Sequence, residues 1–576
     1  MATGFLADRQ RLLWIVVLSL LLLTLVTQRN HNTNSDPRAT LLVSQALVQH
    51  GTIQLDSLGE PLLQSYGYVI QQKNGHYYHY FPLGSALLAT PVVAIANAAG
   101  VDMRQHEPTM QMIIVALCAI GILLLLYRTA RLYLGRDASL ALTALGWFGS
   151  AYASTLGTAL WSHDLAVLFA SLAIYLALRE RPLTGKFALI GASLFLAYLC
   201  RPSMALLAPA LLAFLMTRSW KTAIAAALVQ GGLLMLFVLW SFHEFGQPLP
   251  DYYLPKRLEG TQFATALYGN LLSPARGLLV YSPFLLLPIL CLPFLLWKQK
   301  RNLPLLILAL GWPLLHYLTV SRFPHWWAGW SYGSRLMVDA LPGLLLGTAV
   351  CLASLEKWRR PALALFAVLA AFSIFVNGYQ GLYNTYALQW NAAPNIDEHP
   401  ELLFDWSYPP FLNTQHRQQE RLDRFHLAVM PPLQGKVRIT YDEPNAGFDG
   451  FSVIENGFRW PNAGFDGFSV IENGFRWTEG TASTLSFKLE NASTLSGRLS
   501  LQAGFLGSQR LAVCLNGTLV FEGAYQGGER DIRIQVPAGL LHDGLNRLDF
   551  ALPDAHPPGT ADTRILGMAF HLLAVD

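Results

Sequence analysis

Residues 12–26 read LLWIVVLSLLLLTLV, and this apolar run, with MQMIIVALCAIGILLLLY at residues 110–127, decides the fold class of the chain. Each run approaches the roughly 20 apolar residues that an α-helix needs to cross a bilayer. Hydrophobic residues make up 53% of the 576 residues and charged residues only 13%, a composition far from that of soluble proteins. The sequence therefore predicts a polytopic α-helical membrane protein. No small-residue cleavage site follows the first run, so we expect it to be a retained helix.

Hydropathy predicts about eleven spans in the first part of the chain. They are expected near residues 11–27, 109–128, 138–157, 162–179, 186–200, 203–217, 221–243, 278–297, 303–320, 336–354 and 361–378. The basic connections, from ADRQR at residues 7–11 to EKWRR at residues 356–360, all fall on one side of these spans. The positive-inside rule makes that side cytoplasmic. We therefore expect a bacterial inner-membrane protein with a cytoplasmic N-terminus and a periplasmic C-terminal domain.

The chain divides into three predicted regions. Residues 1–380 form the transmembrane core, with a long first external loop at 28–108, and residues 381–440 form a connector near the membrane surface. From residue 441 to 576, short runs such as STLSFKLEN and NRLDFALPD alternate apolar and polar residues between turn residues. This pattern predicts an antiparallel β-sandwich, jelly-roll-like in its arrangement.

Residues 444–477 contain a tandem duplication. PNAGFDGFSVIENGFRW occurs twice without a gap, and the two copies agree at all 17 positions. Because side chains alternate between the faces of a strand, an insertion of odd length reverses the facing of whatever follows in the same strand. We therefore expect one copy to loop out or to form an extra hairpin. Two units do not make a repeat architecture, so we interpret the duplication as an accident and not as a binding repeat.

Acidic residues on the predicted outer face are the first candidates for chemistry. Asp36, in NSDPRATL, follows the first span closely and heads an amphipathic segment. His163 and Asp164, in LWSHDLAV, lie at the outer end of the fourth predicted span. Each can also be explained without a function, as a helix cap or as a group at the membrane–water boundary.

Cations and aromatic residues gather on the same predicted face. They are Arg201, Lys256, Arg257, Arg276, Arg322, Trp327 and Arg335, with Tyr80 in the interfacial first loop. Singly, each fits an ordinary membrane interface. Together, external carboxylates and arginines are what a phosphorylated lipid substrate needs, because arginine binds phosphate through paired N–H groups and a carboxylate supplies a base. The net charge of +4 gives no reason to expect nucleic acid.

These residues carry a resemblance to the GT-C class of polytopic membrane glycosyltransferases. It rests on SDPRATLLVSQALVQHGTIQ, YFPLGSALLATP, WSHD, the Arg201–Pro202 turn and WWAGWSYGSRLMVDALP. The resemblance implies a polyprenyl-phosphate sugar donor, with Asp36 as general base on the acceptor hydroxyl. It implies that Asp164 orients the acceptor or shares a divalent metal, Mg or Mn, with Asp36. The phosphate contacts would be Arg201, Arg276 and Arg335.

The sequence leaves several points open. Asp36 lacks the adjacent acidic residue of many members of the class, which leaves the metal undecided. The acceptor is expected to be a glycan, a lipid or an exported protein, and membrane lipids are the other expected partners. A transporter or flippase of lipid-linked sugars is the first alternative function. A non-catalytic envelope-assembly protein is the second. Mid-membrane charges and repeated halves would favour the transporter.

Overall fold

A computed structural model gives the structure of the chain. It describes residues 2–30, 35–180, 184–298, 303–354, 359–429, 432–434, 437–440, 446–449, 454–455, 458–459, 468–472, 475–557 and 565–576. The chain forms two compact units, Met1–Thr414 and Gln415–Asp576. The division falls inside the predicted connector, so residues 381–414 pack with the helical unit.

The described residues of the first unit form helices and one small hairpin. Its helices are α1 (Ala2–Thr27), α2 (Thr40–His50), α3 (Glu60–Gln64), α4 (Gly84–Ala98), α5 (Met103–Ala130), α6 (Arg136–Phe148), α7 (Ser162–Leu178), α8 (Lys186–Cys200), α9 (Leu207–Met216), α10 (Trp220–Phe245), α11 (Phe263–Leu272), α12 (Leu278–Tyr281), α13 (Leu286–Leu290), α14 (Leu292–Lys298), α15 (Leu303–Leu306), α16 (Trp312–Val320), α17 (Leu341–Ser354), α18 (Arg359–Ile374), α19 (Gly381–Tyr383) and α20 (Thr385–Gln389). The hairpin pairs β1 (Ile70–Lys73) with β2 (His76–His79).

The predicted polytopic membrane architecture is confirmed. Among the described residues, six helical stretches are long and apolar enough to cross a membrane: Gln10–Thr27, Met103–Ala130, Trp220–Phe245, Leu303–Val320, Arg335–Ser354 and Arg360–Tyr383. Five shorter apolar helices accompany them: Gly84–Ala98, Ser162–Leu178, Lys186–Cys200, Pro202–Met216 and Pro283–Trp297. Large side chains such as Leu228 and Trp297 are 71% and 70% exposed on these helices, as expected for surfaces that face lipid.

Two predicted spans are interrupted. The region 278–297 is divided among α12, α13 and α14. The region 138–157 is not continuous, because α6 ends at Phe148 and a separate short helical segment covers Tyr152–Leu156. Both segments are well buried inside the helical unit. The first external loop contains a regular 15-residue helix, α4. It packs against α2 and the end of α8, and a Cβ at Gly84 would lie 2.5 Å from the backbone nitrogen of Cys200. Only glycine allows this close approach.

The second unit begins with α21 (Gln415–Val429) and continues as a sheet. Its strands are β3 (Leu433–Gln434), β4 (Val437–Thr440), β5 (Ala446–Asp449), β6 (Ile454–Glu455), β7 (Phe458–Arg459), β8 (Phe468–Glu472), β9 (Phe475–Glu479), β10 (Ala482–Glu490), β11 (Arg498–Leu515), β12 (Thr518–Gln535), β13 (Gly544–Ala551) and β14 (Leu566–Val575). Buried and exposed residues alternate along β11. Its buried side chains form an apolar core with buried side chains of β13 and β14. The pairs are antiparallel except that β3 and β10 are parallel.

The predicted antiparallel architecture is confirmed, and its arrangement is now defined. Within the described residues, ten strands form one hydrogen-bonded sheet, where the sequence predicted the two sheets of a sandwich. Strand β11 is the reason: its residues 499–505 pair with β14, whereas its residues 512–515 pair with β13. Register shifts against β12 interrupt β11 between Phe505 and Ser508 and between Val513 and Cys514. Such bulges bend a strand, so the sheet curls around its core.

The two copies of the duplication have different surroundings. In the second copy, β8 and β9 form a hairpin that joins the main sheet, because β9 pairs with β14. The corresponding residues of the first copy, β6 and β7, pair with the same register but form a separate two-stranded sheet. Each copy therefore contains a hairpin, and only that of the second copy is paired with the main sheet among the described residues. Residues Ala446–Asp449 of the first copy form β5, which pairs with β10 in the main sheet. The other residues of both copies, including Pro444, Pro461 and the turns, lie outside the described residues.

Candidate active site

The segment from Ser35 to Ala39 presents Asp36 at the head of α2. Ser35 and Ala39 both have left-handed backbone conformations, with φ of 74° and 66°. Glu107 of α5 stabilises this turn, since its two carboxylate oxygens accept hydrogen bonds from Ala39 N and Leu41 N at 3.1 and 2.9 Å. Glu107 thus satisfies N–H groups that the first turn of α2 would leave unpaired.

Two further side chains fix the same turn. Gln111, one helical turn beyond Glu107, donates to Pro37 O at 2.6 Å and accepts from Leu160 N at 3.3 Å. His79 of β2 lies 3.0 Å from Arg38 O through Nε2. Burial lowers the pKa of His79 to about 4, so the ring is neutral at pH 7 and donates this hydrogen bond. Gln111 therefore connects the Asp36 turn to the residues that precede α7.

The Asp36 carboxylate is buried among hydrogen-bond donors and cations, with 3% of its surface exposed. Ser162, the first residue of α7, donates through Oγ to Asp36 Oδ2 at 2.8 Å. Arg201 Nη1 lies 3.4 Å from the same oxygen, and Arg335 Nη2 lies 3.3 Å from Oδ1. Three parts of the bundle therefore meet at this carboxylate: the start of α7, the end of α8 and the segment before α17.

Asp36 is ionised in this setting. Burial by itself raises the pKa of a carboxyl group, but Arg335 and Arg201 oppose it and lower the pKa of Asp36 to about 2. His163 and the hydrogen bond from Ser162 act in the same direction. A carboxylate that stays charged in a buried position can accept a proton from a hydroxyl group that approaches it.

Arg201 bridges Asp36 to a second buried acid, Asp339. Arg201 Nε lies 3.5 Å from Asp339 Oδ2, while Nη1 also donates to Ser162 Oγ at 3.2 Å and to Tyr252 at 3.4 Å. Arg201 directly follows α8 and precedes Pro202, and its backbone is extended. The guanidinium is 4% exposed and lies between two carboxylates.

Asp339 is a residue that sequence reasoning missed. It is fully buried in the turn Arg335–Ala340, and its Oδ1 lies 2.6 Å from His163 Nδ1. Ser203 donates to its Oδ2 at 2.8 Å. A signal was present in the sequence, because an ionisable residue within an apolar span is unusual and marks a site by default. His163 is therefore connected through Asp339 to Arg201, which contacts Asp36.

Among the described residues, the Arg335 guanidinium has one buried N–H group without a hydrogen-bond partner. Its guanidinium carbon lies 3.8 Å from the centroid of the Trp161 ring, which suits an arginine stacked on an aromatic face. Its Nε is buried and, within the described parts of the chain, has no hydrogen-bond partner. Since buried donors are normally satisfied, this N–H is a position at which a ligand could bind.

Aromatic residues flank the arginines. Tyr252 and Tyr80 are in edge contact at 5.5 Å, and Phe81 touches both. The Arg257 guanidinium lies 3.9 Å from the centroid of the Tyr252 ring. Tyr80 and Arg257, both predicted site residues, thus contact Tyr252, which in turn contacts Arg201. Tyr252 was not among the predicted site residues. We call Asp36, Arg201, Arg335, Asp339 and His163 the Asp36 cluster.

Asp164 lies beside His163 in the chain but not in the cluster. Both its carboxylate oxygens are buried and have no hydrogen-bond partner among the described residues. Successive positions on an α-helix point about 100° apart, so when His163 faces Asp339 its neighbour faces elsewhere. Asp339 occupies the place that was expected for Asp164 as the second acid near Asp36.

Arg276 is buried, but its donors are already engaged. Its guanidinium donates to Trp327 O at 2.7 Å, to Ala275 O and Gly329 O at 2.9 Å, and to Asn391 Oδ1 at 2.6 Å. This arrangement supports the loop around Trp327, and the phosphate contact expected for Arg276 stays a prediction.

The remaining predicted substrate residues lie apart from Asp36 in their contacts. Trp327 is buried and donates its indole N–H to Asp397 at 2.7 Å. Arg322 is exposed, with its guanidinium 4.1 Å from the centroid of the Phe263 ring. Lys256 is exposed, and its charge acts on Asp251. The structure therefore brings together only part of the predicted set.

A divalent metal does not fit the donors around Asp36. Its two oxygens face Ser162, Arg201 and Arg335, so a metal ion would have to replace two guanidinium groups. Asp164, the other expected ligand, does not share this position. Over the described residues, no group of three or more histidine, cysteine or acidic side chains is arranged to hold a metal ion. Magnesium and manganese usually require several oxygen ligands.

Comparisons with known proteins give one kind of match. No protein-family model matches the sequence, and no curated protein matches it either. Among solved structures, the chain is similar to the crystal structure of ArnT from Cupriavidus metallidurans bound to undecaprenyl phosphate. The identity is 15%, the match covers 76% of this chain and 83% of that one, and the TM-score is 0.40. This similarity assigns no role to any residue of the chain.

Proposed function

We propose that this multi-pass membrane protein is a glycosyltransferase that moves a sugar from a polyprenyl-phosphate donor to a hydroxyl acceptor. Asp36 is the general base in this proposal. One observation carries it: a buried, ionised carboxylate is paired with two arginines, and one of them, Arg335, retains a buried N–H without a partner. The acceptor is a glycan, a lipid or an exported protein.

The arginines in and beside the cluster support a phosphodiester ligand. Arg201 and Arg335 balance Asp36 and Asp339 when His163 is neutral, so the Asp36 cluster itself has no net charge. Arg257, which lies on the ring of Tyr252 beside Arg201, adds one unit of positive charge next to it. A sugar linked to a polyprenyl phosphate carries a single negative charge on its phosphodiester. Arginine N–H groups bind such oxygens through short, charge-assisted hydrogen bonds. The ligand would thus neutralise the excess charge.

The same arginines connect donor binding to the base. In the free protein they hold the pKa of Asp36 at about 2, which makes the carboxylate a weak base. A phosphate that draws Arg201 and Arg335 toward itself would remove this stabilisation and raise the proton affinity of Asp36. Donor binding would therefore activate the carboxylate before the acceptor reacts.

The chemical step is a displacement at the anomeric carbon. The acceptor oxygen forms a bond to this carbon while the bond from carbon to the phosphate oxygen breaks, and the electron pair leaves with the phosphate. Asp36 takes the proton of the acceptor hydroxyl. Arg201 and Arg335 stabilise the charge that develops on the departing phosphate. A phosphate is a good leaving group, so the step needs no strong general acid.

Location and topology complete the proposal. The reaction takes place at the periplasmic face of a bacterial inner membrane, with the N-terminus cytoplasmic and the sheet unit periplasmic. The basic connections between the spans support this orientation. Asp164 stays a prediction only, because its contacts do not connect it with Asp36.

The test incubates membranes that contain the protein with undecaprenyl-phosphate sugars of defined composition and measures which donor is consumed. We expect one donor to be consumed by the wild type and the rate to fall about 10³-fold in Asp36→Asn, because a general base contributes about that factor. Undecaprenyl phosphate should bind Asp36→Asn at least as tightly as the wild type, since the carboxylate no longer competes for the arginines.

Two results would contradict the proposal. Full transfer by a folded Asp36→Asn variant would remove Asp36 as the base. Consumption of no donor, together with passage of a lipid-linked sugar across liposomes, would favour the transporter. Thermal unfolding of both proteins in detergent controls for folding.

A further inference from the structure

We propose that Asp339 is a positioning residue of the donor-phosphate site and that it acts through Arg201. This inference rests on the proposed function, since it assigns Arg201 to the phosphate. Asp339 holds the Nε edge of the guanidinium at 3.5 Å while Nη1 points to Asp36, Ser162 and Tyr252. No hydrogen bond from Arg201 Nη2 occurs to the part of the chain that the structure describes, so this edge is the one offered to the ligand.

Asp339 cannot be a second base, because its oxygens are committed. Oδ1 contacts His163 Nδ1 at 2.6 Å, and Oδ2 accepts from Ser203 at 2.8 Å and faces Arg201. The side chain is fully buried. Its contacts are with neighbouring side chains and leave no face for a substrate hydroxyl. Its effect on the reaction must therefore pass through the groups that it holds.

The need for such a residue follows from the chemistry of arginine. A planar guanidinium forms its most favourable pair with a carboxylate through two parallel N–H···O bonds. If Arg201 made this pair with Asp36, the base would be blocked and the N–H groups would be lost to the phosphate. Asp339 competes for Arg201 and leaves only one contact with Asp36, at 3.4 Å. A single contact of this length is one that a phosphate can displace.

The contacts of Asp339 with neighbouring side chains fix its position next to Arg201. Ser203 lies two residues after Arg201, in the short turn that follows α8, so the acid contacts this turn at two points. His163 connects the same acid to the first turn of α7, where Ser162 donates to Asp36. Asp339 therefore sets the distance between the two elements that face the base.

The experiment measures binding of undecaprenyl phosphate and the kinetics of transfer in Asp339→Asn, Arg201→Gln and the double variant. We expect Asp339→Asn to weaken lipid binding about 10-fold and to raise the donor KM more than it lowers kcat. A positioning role requires that Asp339→Asn add little to the defect of Arg201→Gln, since effects of residues acting through one another are not additive. A purely structural role would give additive effects.

Glu244→Gln is the matched control. Glu244 is a half-buried carboxylate near the first loop, where it accepts hydrogen bonds from Tyr78 and Gln54, both at 2.9 Å. We expect its replacement to change lipid binding less than 2-fold. If Asp339→Asn does not fold, Asp339→Glu tests the same point, because its binding defect must also vanish in the Arg201→Gln background.

Each outcome decides the inference. If a folded Asp339 variant binds undecaprenyl phosphate as tightly as the wild type does, the inference is wrong. The proposed function is unaffected by that result. Additive defects in the double variant would overturn the inference as well. A wild type that neither binds undecaprenyl phosphate nor consumes its sugar conjugates would overturn the proposed function and the inference with it.

Discussion

Two buried arginine sites in the helical unit differ in what satisfies their charge. Arg201 lies between two carboxylates, whereas Arg276 donates to three backbone carbonyls and one amide oxygen. The two side chains are 4% and 2% exposed, so burial does not distinguish them. Sequence reasoning expected both to bind phosphate. The two arginines differ in their partners and not in their burial, so we expect only Arg201 to be available to a phosphate.

The acidity of the two groups follows the same difference. Burial lowers the pKa of Arg276 to about 10, because neutral carbonyls offset little of the cost of burying a charge. Burial acts on Arg201 in the same direction, but Tyr252, Asp339 and Asp36 raise its pKa above the ordinary value. Arg201 is thus held by charges that a phosphate can replace, while Arg276 is part of the loop's own structure.

The expected difference between the two arginine sites can be tested by replacing one arginine from each site with glutamine. We expect Arg335→Gln, in the Asp36 cluster, to lower kcat/KM for the donor about 100-fold, because it removes one partner of a buried charged pair. Arg276→Gln should leave kcat/KM of the folded protein within about 3-fold of the wild type. Its free energy of unfolding should fall by about 3 kcal/mol, since several buried carbonyls lose their donor.

Steady-state transfer assays and thermal unfolding in detergent measure both quantities on the same preparations. The distinction between the two sites fails if Arg276→Gln loses donor affinity without losing stability. It fails also if Arg335→Gln is destabilised as strongly as Arg276→Gln but keeps its affinity for the lipid phosphate.

A second prediction concerns the pH dependence of stability. The pKa of Asp36 falls from 3.8 to about 2 on folding, which corresponds to about 2 kcal/mol of stabilisation. For a lowered pKa this stabilisation is present above about pH 4 and is lost as the pH falls toward 2. We therefore expect the unfolding temperatures of the wild type and Asp36→Asn to converge as the pH is lowered from 5 to 2.5. A constant difference over this range would show that the ion pairs do not stabilise the carboxylate.

The smallest expected effect is that of removing the first copy of the duplication. Deleting Pro444–Trp460 should leave transfer within about 2-fold of the wild type, because the identical second copy then follows residue 443 directly and can supply both the strand that pairs with β10 and the hairpin that pairs with β14. The assay is transfer by membranes that contain equal amounts of protein. A loss greater than about 10-fold would mean that the duplication contributes to function.

Parts of the candidate site were predictable from local sequence. Asp36, Arg201 and Arg335 were selected because charged residues at the ends of apolar runs are conspicuous, and all three meet in the structure. Asp339 was overlooked although it lies inside the quoted stretch SRLMVDALP, because Asp164 already occupied the role of second acid. Choosing between them requires knowing which side of each helix faces the cluster, and neighbouring residues of one helix differ widely in direction.

The sequence by itself determined that the chain has membrane-spanning helices followed by antiparallel strands. Apolar length and the alternation of polar and apolar residues are local properties, and each fixes the element in which it occurs. The tertiary structure decided which ionisable groups meet. Asp36 and Arg201 are 165 positions apart, and His163 and Asp339 are 176 apart. Contacts over such separations depend on how helices pack, and no local pattern encodes them.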